Sequence, residues 1–285
     1  MLGIEAFYDD ATSTASYLVW DKGTGEAAVI DAVLDFDPVT GKLSTASVDR
    51  MLGRAQELGL KVTWALETHA HADHLSAADH VRRKTRAKIG IGARISEVQT
   101  RFRALFGAPE IETDAAAFDR LFRDGEVFRI GRLEARVLHT PGHTPACVTY
   151  LIGDAAFVGD TLFMPDYGTA RADFPGGDAA TLYRSIRRIL ALPPETRIFV
   201  GHDYLPPGRS TPAWETSVAA ERAGNVHVRD GVSEEAFVAL RSARDKTLAP
   251  PRLILPSLQV NIRGGALPEP EADGRIYLKT PVSVV

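Results

Sequence analysis

Residues 68–74, with the sequence THAHADH, constrain this chain more than any other stretch. Just before them, Val62, Trp64 and Leu66 alternate with smaller or polar residues, and this period of two predicts a β-strand over 61–67. The strand delivers three imidazoles and a carboxylate to one edge of a sheet. Burying such groups without partners costs several kcal/mol, so they must be exposed, hydrogen-bonded or bound to a metal. Because imidazole is the commonest transition-metal ligand, this density favours a metal site over a solvated histidine-rich loop.

The second half of the chain supplies further candidate ligands at predicted strand ends. His143 lies in a turn that contains prolines and a glycine, Asp160 closes the apolar strand 155–159, and His202 follows the strand 197–201. Five of the eight histidines therefore lie just beyond strand ends, accompanied by two aspartates. Because strands of one sheet end on a common edge, these side chains can converge on a single site.

Composition excludes several classes of function. The 285 residues are 45% hydrophobic and 25% charged, which is typical of a globular protein. A net charge of -4 provides no field for gathering nucleic acid or an anionic membrane, and no run of 18 apolar residues predicts a membrane span. The lone cysteine, Cys147, rules out an internal disulfide, and no signal peptide is visible. We therefore expect a cytoplasmic protein without nucleic-acid or membrane partners.

The order of strand and helix patterns predicts an α/β fold. A strand, a helix and a second strand precede the histidine cluster, and residues 31–38 are expected to leave the sheet as a loop. A helix is expected to include Asp73 in its first turn and to run to Thr85. We expect a single domain over 1–285, in which the C-terminal extension 205–285 walls the substrate cleft.

In their order along the chain, the candidate ligands resemble those of the metallo-β-lactamase superfamily. That superfamily has an H-x-H-x-D-H motif, a later histidine, a bridging aspartate and a last histidine. The resemblance covers nearly the whole chain and implies an αββα sandwich, two mixed β-sheets flanked by helices, with metal at one rim. The matching residues are His69, His71, Asp73, His74, His143, Asp160 and His202.

The resemblance leaves the number and identity of the metal ions open. His69, His143 and Asp160 would make the first site, a triad of two histidines and one carboxylate like that of Fe(II) oxygenases. The other four residues would form a second site if two ions bind, and would surround the first if one binds: His71, Asp73, His74 and His202. With two zinc ions, His71 would join the first site, Asp160 would lie between the ions, and a bridging hydroxide would support hydrolysis.

Longer runs resemble the persulfide dioxygenases, also called sulfur dioxygenases. These runs are 141–149 (PGHTPACVT), 159–162 (GDTL), 171–174 (RADF), 202–204 (HDY) and 255–265 (LPSLQVNIRGG). Glyoxalase II shares the metal motif but typically differs after the bridging aspartate and has a longer, basic C-terminal domain. The chain departs from the better-known dioxygenases at Ala146, at Thr169, in the longer segment 164–168 and in the tail 266–285. These departures concern the substrate more than the metal.

The resemblance implies oxidation of glutathione persulfide by O2 to sulfite and glutathione at one Fe(II), with one or two zinc ions as the alternative cofactor. The candidate catalytic residues beside the metal are Asp73, His74 and His202, and the candidate substrate contacts are Arg171, Tyr204 and Asn261. Arginine suits a carboxylate because its planar fork bonds both oxygens. The alternative function is a dinuclear zinc hydrolase of the glyoxalase II type, and a metal-binding protein without turnover ranks third. We expect a homodimer.

Overall fold

A computed structural model describes residues 1–109 and 111–282 of the chain. In chain order, the strands are β1 (Leu2–Asp9), β2 (Thr14–Asp21), β3 (Glu26–Ile30), β4 (Val33–Asp37), β5 (Lys42–Ser44), β6 (Lys61–Leu66), β7 (Leu75–Ser76), β8 (Lys88–Gly92), β9 (Arg120–Phe122), β10 (Val127–Ile130), β11 (Leu133–His139), β12 (Val148–Ile152), β13 (Ala155–Gly159), β14 (Arg197–Val200) and β15 (Glu215–Ser217). The helices are α1 (Ala46–Glu57), α2 (Ala78–Thr85), α3 (Ile95–Phe106), α4 (Ala179–Ile189), α5 (Val218–Gly224), α6 (Glu234–Asp245) and α7 (Ile254–Asn261).

Most of these strands form two mixed sheets. The first has the order β1-β2-β3-β6-β8-β9. In it β2 pairs antiparallel with both β1 and β3, and the neighbouring strands from β3 to β9 are parallel. The second has the order β10-β11-β12-β13-β14-β15, with one parallel pair, β13 and β14. Buried side chains such as Tyr17 and Ile30 from the first sheet pack between the sheets against Tyr150, Phe157 and Phe199 from the second.

Helices cover the outer face of each sheet. Met51 of α1 and Phe102 of α3 belong to an apolar cluster that includes Ile89 of the first sheet. Ile186 of α4 packs with Val158 and other residues on the outer face of the second sheet. Because each sheet buries one face against the other sheet and one against helices, the layers are helix, sheet, sheet, helix. The predicted αββα sandwich is confirmed.

The strand ends bring the polar residues to one rim of the sandwich. Segment 68–74 directly follows β6, Asp160 follows β13, and His202 lies two residues beyond β14. His143 lies in the turn between β11 and β12. The backbone of this turn packs on α4, since the Asp178 N–H donates to the carbonyl of Gly142 at 2.9 Å.

Two local predictions were wrong. Residues 33–37 form β4, which pairs with β5 and β7 in a small three-stranded sheet and does not leave the fold as a loop. Helix α2 begins at Ala78, so Asp73 lies in an irregular segment before β7. Among the described residues, no helix combines the length and the apolar character needed to span a bilayer.

We expect substitution of Gly142 by alanine to destabilise the protein by about 3 kcal/mol. Gly142 has φ +136°, and a Cβ there would collide with the backbone of Leu182 in α4. Gly53 is a matched control in α1, because a Cβ there meets nothing within 4 Å. Gly53→Ala should be neutral or stabilise by roughly 1 kcal/mol. Denaturant unfolding measures both free energies, and equal stability of the two variants would contradict this packing.

Candidate metal centre

The structure brings the seven predicted ligands together as two adjoining groups. His69, His143 and Asp160 form one group, whose possible ligand atoms all lie within 4.8 Å of one another. The second group meets the same limit and consists of His71, Asp73, His74 and His202. Asp160 joins the groups: its Oδ2 lies 3.9 Å from His69 Nε2 and 3.8 Å from His143 Nε2. Its Oδ1 lies 3.3 Å from His202 Nε2.

Hydrogen bonds on the outer side of the first group determine which ring nitrogen carries the proton. The Thr68 hydroxyl donates to Asp31 Oδ2 at 2.8 Å, so it accepts from His69 Nδ1 at 3.0 Å. His143 Nδ1 lies 2.8 Å from the Arg171 carbonyl oxygen, which can only accept. In both histidines Nδ1 is therefore a donor, which leaves Nε2 as the ring nitrogen that can direct a lone pair at a metal ion beside Asp160. Burial also lowers the pKa of His69 well below its usual range, and the neighbouring imidazoles add to this effect.

In the second group, the ring of His202 is oriented in the same way, with Nδ1 toward a carbonyl and Nε2 toward the carboxylates. His202 Nδ1 lies 3.2 Å from the carbonyl oxygen of Ser13, which makes this nitrogen a donor. Its Nε2 then faces Asp73 Oδ2 at 3.0 Å and Asp160 Oδ1 at 3.3 Å. A nitrogen lone pair held between two carboxylates is repelled by both unless a metal ion or a proton lies among them. The Thr14 hydroxyl is near Nδ1 of both His202 and His74, at 3.3 and 3.4 Å.

The residues present therefore fit a bound metal ion. Several buried nitrogen and oxygen atoms that face the inside of the cluster have no hydrogen-bond partner among the described residues. They are His69 Nε2, His71 Nδ1, His74 Nε2, His202 Nε2, Asp73 Oδ2 and Asp160 Oδ1. Leaving so many buried polar atoms unpaired would be very costly, and coordination to a cation removes that cost. Imidazole with carboxylate is a donor set that suits iron or zinc.

Two supporting carboxylates were missed in the sequence. His71 Nε2 lies 3.0 Å from Asp31 Oδ1 and 3.3 Å from Glu67 Oε2, and both acids are buried. Burial acts to lower the pKa of His71, but the two carboxylates outweigh it and raise this pKa well above the usual value. The same carboxylates make Nδ1 of His71 a stronger donor to a metal. Asp31 had a signal in the sequence, because it directly follows β3 as Asp160 directly follows β13.

A cavity of about 380 Å³ is lined by His143 and Asp160 of the first group and by Asp73 of the second. Much of the rest of its lining comes from aromatic and C-terminal residues. The Tyr204 ring stacks on the imidazole of His202 at a centroid distance of 5.3 Å. Tyr167, carried by the segment 164–168, packs against Tyr204 at 5.2 Å. This segment therefore adds an aromatic wall to the cavity. The C-terminal part of the lining is Arg241, Arg244, Leu248, Ala249, Pro251, Arg252 and Leu253.

Asn261 does not line the cavity, which corrects its prediction as a substrate contact. Its buried amide nitrogen donates to the carbonyls of His71 and His74, each at 2.8 Å. Its Oδ1 accepts from the N–H of Ser76 at 2.7 Å. The bonds to His74 and Ser76 occupy backbone groups that a helix beginning at Asp73 would pair internally, and Leu75 and Ser76 pair with β4, so α2 does not begin at Asp73. Asn261 supports the ligand segment from behind.

Arg171 lies in the cavity wall, but most of its donors are committed within the protein. Its Nε and Nη2 donate to the two carboxylate oxygens of Asp173 at 2.5 and 2.7 Å. Its Nη1 donates to the Ala249 carbonyl at 2.7 Å, and Nη2 also reaches the Leu248 carbonyl at 3.4 Å. A guanidinium has five N–H groups, so little capacity remains for a substrate carboxylate. The Arg171 side chain instead binds segment 248–249, while the Arg171 backbone carbonyl orients His143.

With this geometry in place, comparison with known proteins identifies the family. A sequence model described as Metallo-beta-lactamase superfamily matches residues 9–202, which is more than half of the chain. The chain belongs to the metallo-β-lactamase superfamily. It is 53% identical to a "Probable metallo-hydrolase" of Burkholderia pseudomallei over 99% of each protein. It is also 44% identical to Glyoxylase B2 of Dictyostelium discoideum over 98% of this chain and 97% of that protein.

The predicted resemblance to persulfide dioxygenases is also confirmed. The chain is 31% identical to human persulfide dioxygenase ETHE1 over 70% of this chain and 68% of that protein. The crystal structure of ETHE1 from Myxococcus xanthus superposes with a TM-score of 0.74 at 33% identity, covering 93% of this chain and 100% of that one. The chain spans 65% of the length of three longer relatives that are 51% to 54% identical to it.

Replacing Asp31 by asparagine should weaken metal binding by roughly 10- to 100-fold. Asparagine tolerates the φ of +51° at this position, but one of its terminal atoms is a donor, so it cannot accept both hydrogen bonds from Thr68, and it has no charge to pair with His71. Asp37→Asn is the control, because Asp37 is exposed at the end of β4. Competition with a chelator of known affinity measures the change. Equal affinity in the two variants would contradict the role of Asp31.

Removal of the metal should lower the melting temperature, because the buried lone pairs are then left facing one another. A metal ion at 100 times its dissociation constant adds about 2.7 kcal/mol to the free energy of unfolding. Differential scanning calorimetry before and after chelation, and again after re-addition of Fe(II) or Zn(II), measures this. An unchanged melting temperature would mean that the cluster does not bind the ion.

Proposed function

We propose that the protein is a persulfide dioxygenase that oxidises glutathione persulfide with O2 at one Fe(II) held by His69, His143 and Asp160. The observation that carries the proposal is that His143 and Asp160, which are grouped with His69 as two imidazoles and one carboxylate, line a cavity of about 380 Å³. Three protein ligands leave coordination positions free for a sulfur and for O2. Similarity to human persulfide dioxygenase and to ETHE1 of Myxococcus xanthus supports the same choice.

The second group of ligands can also surround a single ion. His202 Nε2 lies 3.0 Å from Asp73 Oδ2, so a proton shared between these two atoms would link them without a second metal. Its Nδ1–H already has the Ser13 carbonyl as an acceptor. In this proposal His71, Asp73, His74 and His202 surround the iron site, orient its ligands and hold protons near the reacting sulfur.

The cavity walls bind and shield the substrate. The thiol part would lie along Phe163, Tyr167 and Tyr204, whose rings contact one another with centroids 5.2 to 5.8 Å apart. These rings exclude water from the side of the cavity next to His202. Bound Fe(II) would supply the electron transfer from the terminal sulfur to O2. Glutathione persulfide, one O2 and one water then give glutathione, sulfite and two protons, so four electrons pass from the sulfane sulfur to O2.

A dinuclear zinc hydrolase of the glyoxalase II type is the second candidate. Asp160 turns one carboxylate oxygen to each group of ligands, which is the orientation that a bridging ligand needs. Similarity to Glyoxylase B2 and to the Burkholderia metallo-hydrolase favours this candidate. Two ions bridged by hydroxide would hydrolyse a glutathione thioester.

The cellular setting is part of the proposal. Cys147 is buried, and burial raises the pKa of its thiol to about 12, so it acts as a packed side chain and not as a nucleophile. Use of a single unpaired thiol supports a reducing compartment, and we place the protein in the cytoplasm. A homodimer stays a prediction.

Iron-loaded protein should take up O2 with glutathione persulfide and release sulfite in equal amount. The His143→Ala variant removes a triad ligand, so its O2 uptake should fall by at least about 100-fold. His80→Ala is the matched control, because His80 lies on α2, pairs with Asp49 at 2.8 Å and belongs to neither group of ligands. Its rate should match the parent protein.

The same preparations should be tested for hydrolysis of S-lactoylglutathione, with iron and zinc contents measured. Thioester hydrolysis by zinc-loaded protein, together with no O2 uptake by iron-loaded protein, would replace the dioxygenase by the hydrolase. Failure of both reactions in protein with a filled site would overturn both candidates.

A further inference from the structure

Positively charged side chains outnumber negatively charged ones in the lining of the cavity. Among the described residues in its wall are four arginines, while its two carboxylates, Asp73 and Asp160, belong to the metal centre. The arginines are Arg171, Arg241, Arg244 and Arg252. A cavity with an excess of guanidinium groups attracts an anionic ligand, and the groups that remain unpaired determine where the anion binds.

Two of these arginines are neutralised within the protein. Arg171 is held by both carboxylate oxygens of Asp173. Arg241 is buried, donates to Asp245 and to the Thr169 carbonyl, and so fastens α6 to the cavity wall. These two guanidinium groups have structural partners, and neither is available as the main contact for a substrate.

The other two arginines have no such partner. Arg244 and Arg252 are exposed, and neither side chain makes a hydrogen bond or an ion pair with the part of the chain that the structure describes. Arg244 lies over the ring of Tyr167 at 5.9 Å from its centroid, which holds the guanidinium at the aromatic wall. Arg252 also borders a neighbouring cavity whose lining includes Asp35 and Asp37, and neither carboxylate forms an ion pair with it in the part of the chain that the structure describes.

We propose that Arg244 and Arg252 form a carboxylate-binding subsite that selects a thiol substrate of about tripeptide size with two carboxylate groups. The inference rests on the proposed function and extends it to specificity. The reacting sulfur would reach the metal centre beside His143 and Asp160, while the carboxylates at the far end of the molecule would meet the two guanidinium forks. Arg244 and Arg252 take over the role that Arg171 was predicted to have.

The first test separates binding from turnover. Arg244→Gln and Arg252→Gln should each raise KM for glutathione persulfide about fivefold, and the double variant more, with kcat changed less than about twofold. Added salt should raise KM of the parent protein and have less effect on the double variant. Arg229→Gln is the control, because Arg229 is exposed and does not line the cavity. Unchanged KM in the double variant would overturn the subsite.

The second test does not depend on oxidation. Calorimetry should show S-methylglutathione binding to the holoprotein at least about fivefold more tightly than its dimethyl ester, and the double variant should lose this preference. Charge-dependent binding without O2 uptake would keep the subsite and reject the dioxygenase. O2 uptake with equal binding of acid and ester would keep the dioxygenase and reject the subsite. Circular dichroism and melting temperatures equal to those of the parent exclude misfolding as the cause.

Discussion

The buried carboxylate of Asp31 is the group on which the metal centre depends. One of its oxygens accepts from the N–H of Thr68 at 2.7 Å and faces His71 Nε2 at 3.0 Å, and the other accepts from the Thr68 hydroxyl at 2.8 Å. Through Thr68 it determines the tautomer of His69, and it orients His71 directly. Its backbone has φ +51°, an uncommon conformation for a residue other than glycine. One strained aspartate at the end of β3 thus organises the segment that follows β6.

The C-terminal region stabilises the same centre from two sides. Asn261 at the end of α7 binds the backbone of the segment that carries His71 and His74. Asp245 at the end of α6 accepts from the N–H of Ala172 at 2.9 Å, next to the carbonyl of Arg171 that orients His143. These contacts make the extension part of the metal centre's support as well as part of the cavity wall.

Strand-end histidines and the period-two pattern before residue 68 predicted an α/β fold with a polar cluster at one sheet edge. The resemblance to the metallo-β-lactamase superfamily implied the αββα layers and the ligand set. Local patterns failed where tertiary contacts decide the backbone. The helix expected from Asp73 starts later because Asn261, almost two hundred residues away, takes its backbone hydrogen bonds. The expected loop after Asp31 becomes β4 because β7 is available as a partner. Arg171 resembled a substrate contact in its sequence context, but its pairing with Asp173 and Ala249 depends on the fold.

The most direct measurement is anomalous X-ray diffraction at the iron absorption edge, from crystals of protein loaded anaerobically with Fe(II). We predict one strong peak within bonding distance of His69 Nε2, His143 Nε2 and the Asp160 carboxylate, with His71 held by Asp31 as described. The absence of a peak among these residues would contradict a metal centre. A second peak of equal height between His74 and His202 would contradict the single-iron site and indicate a dinuclear one.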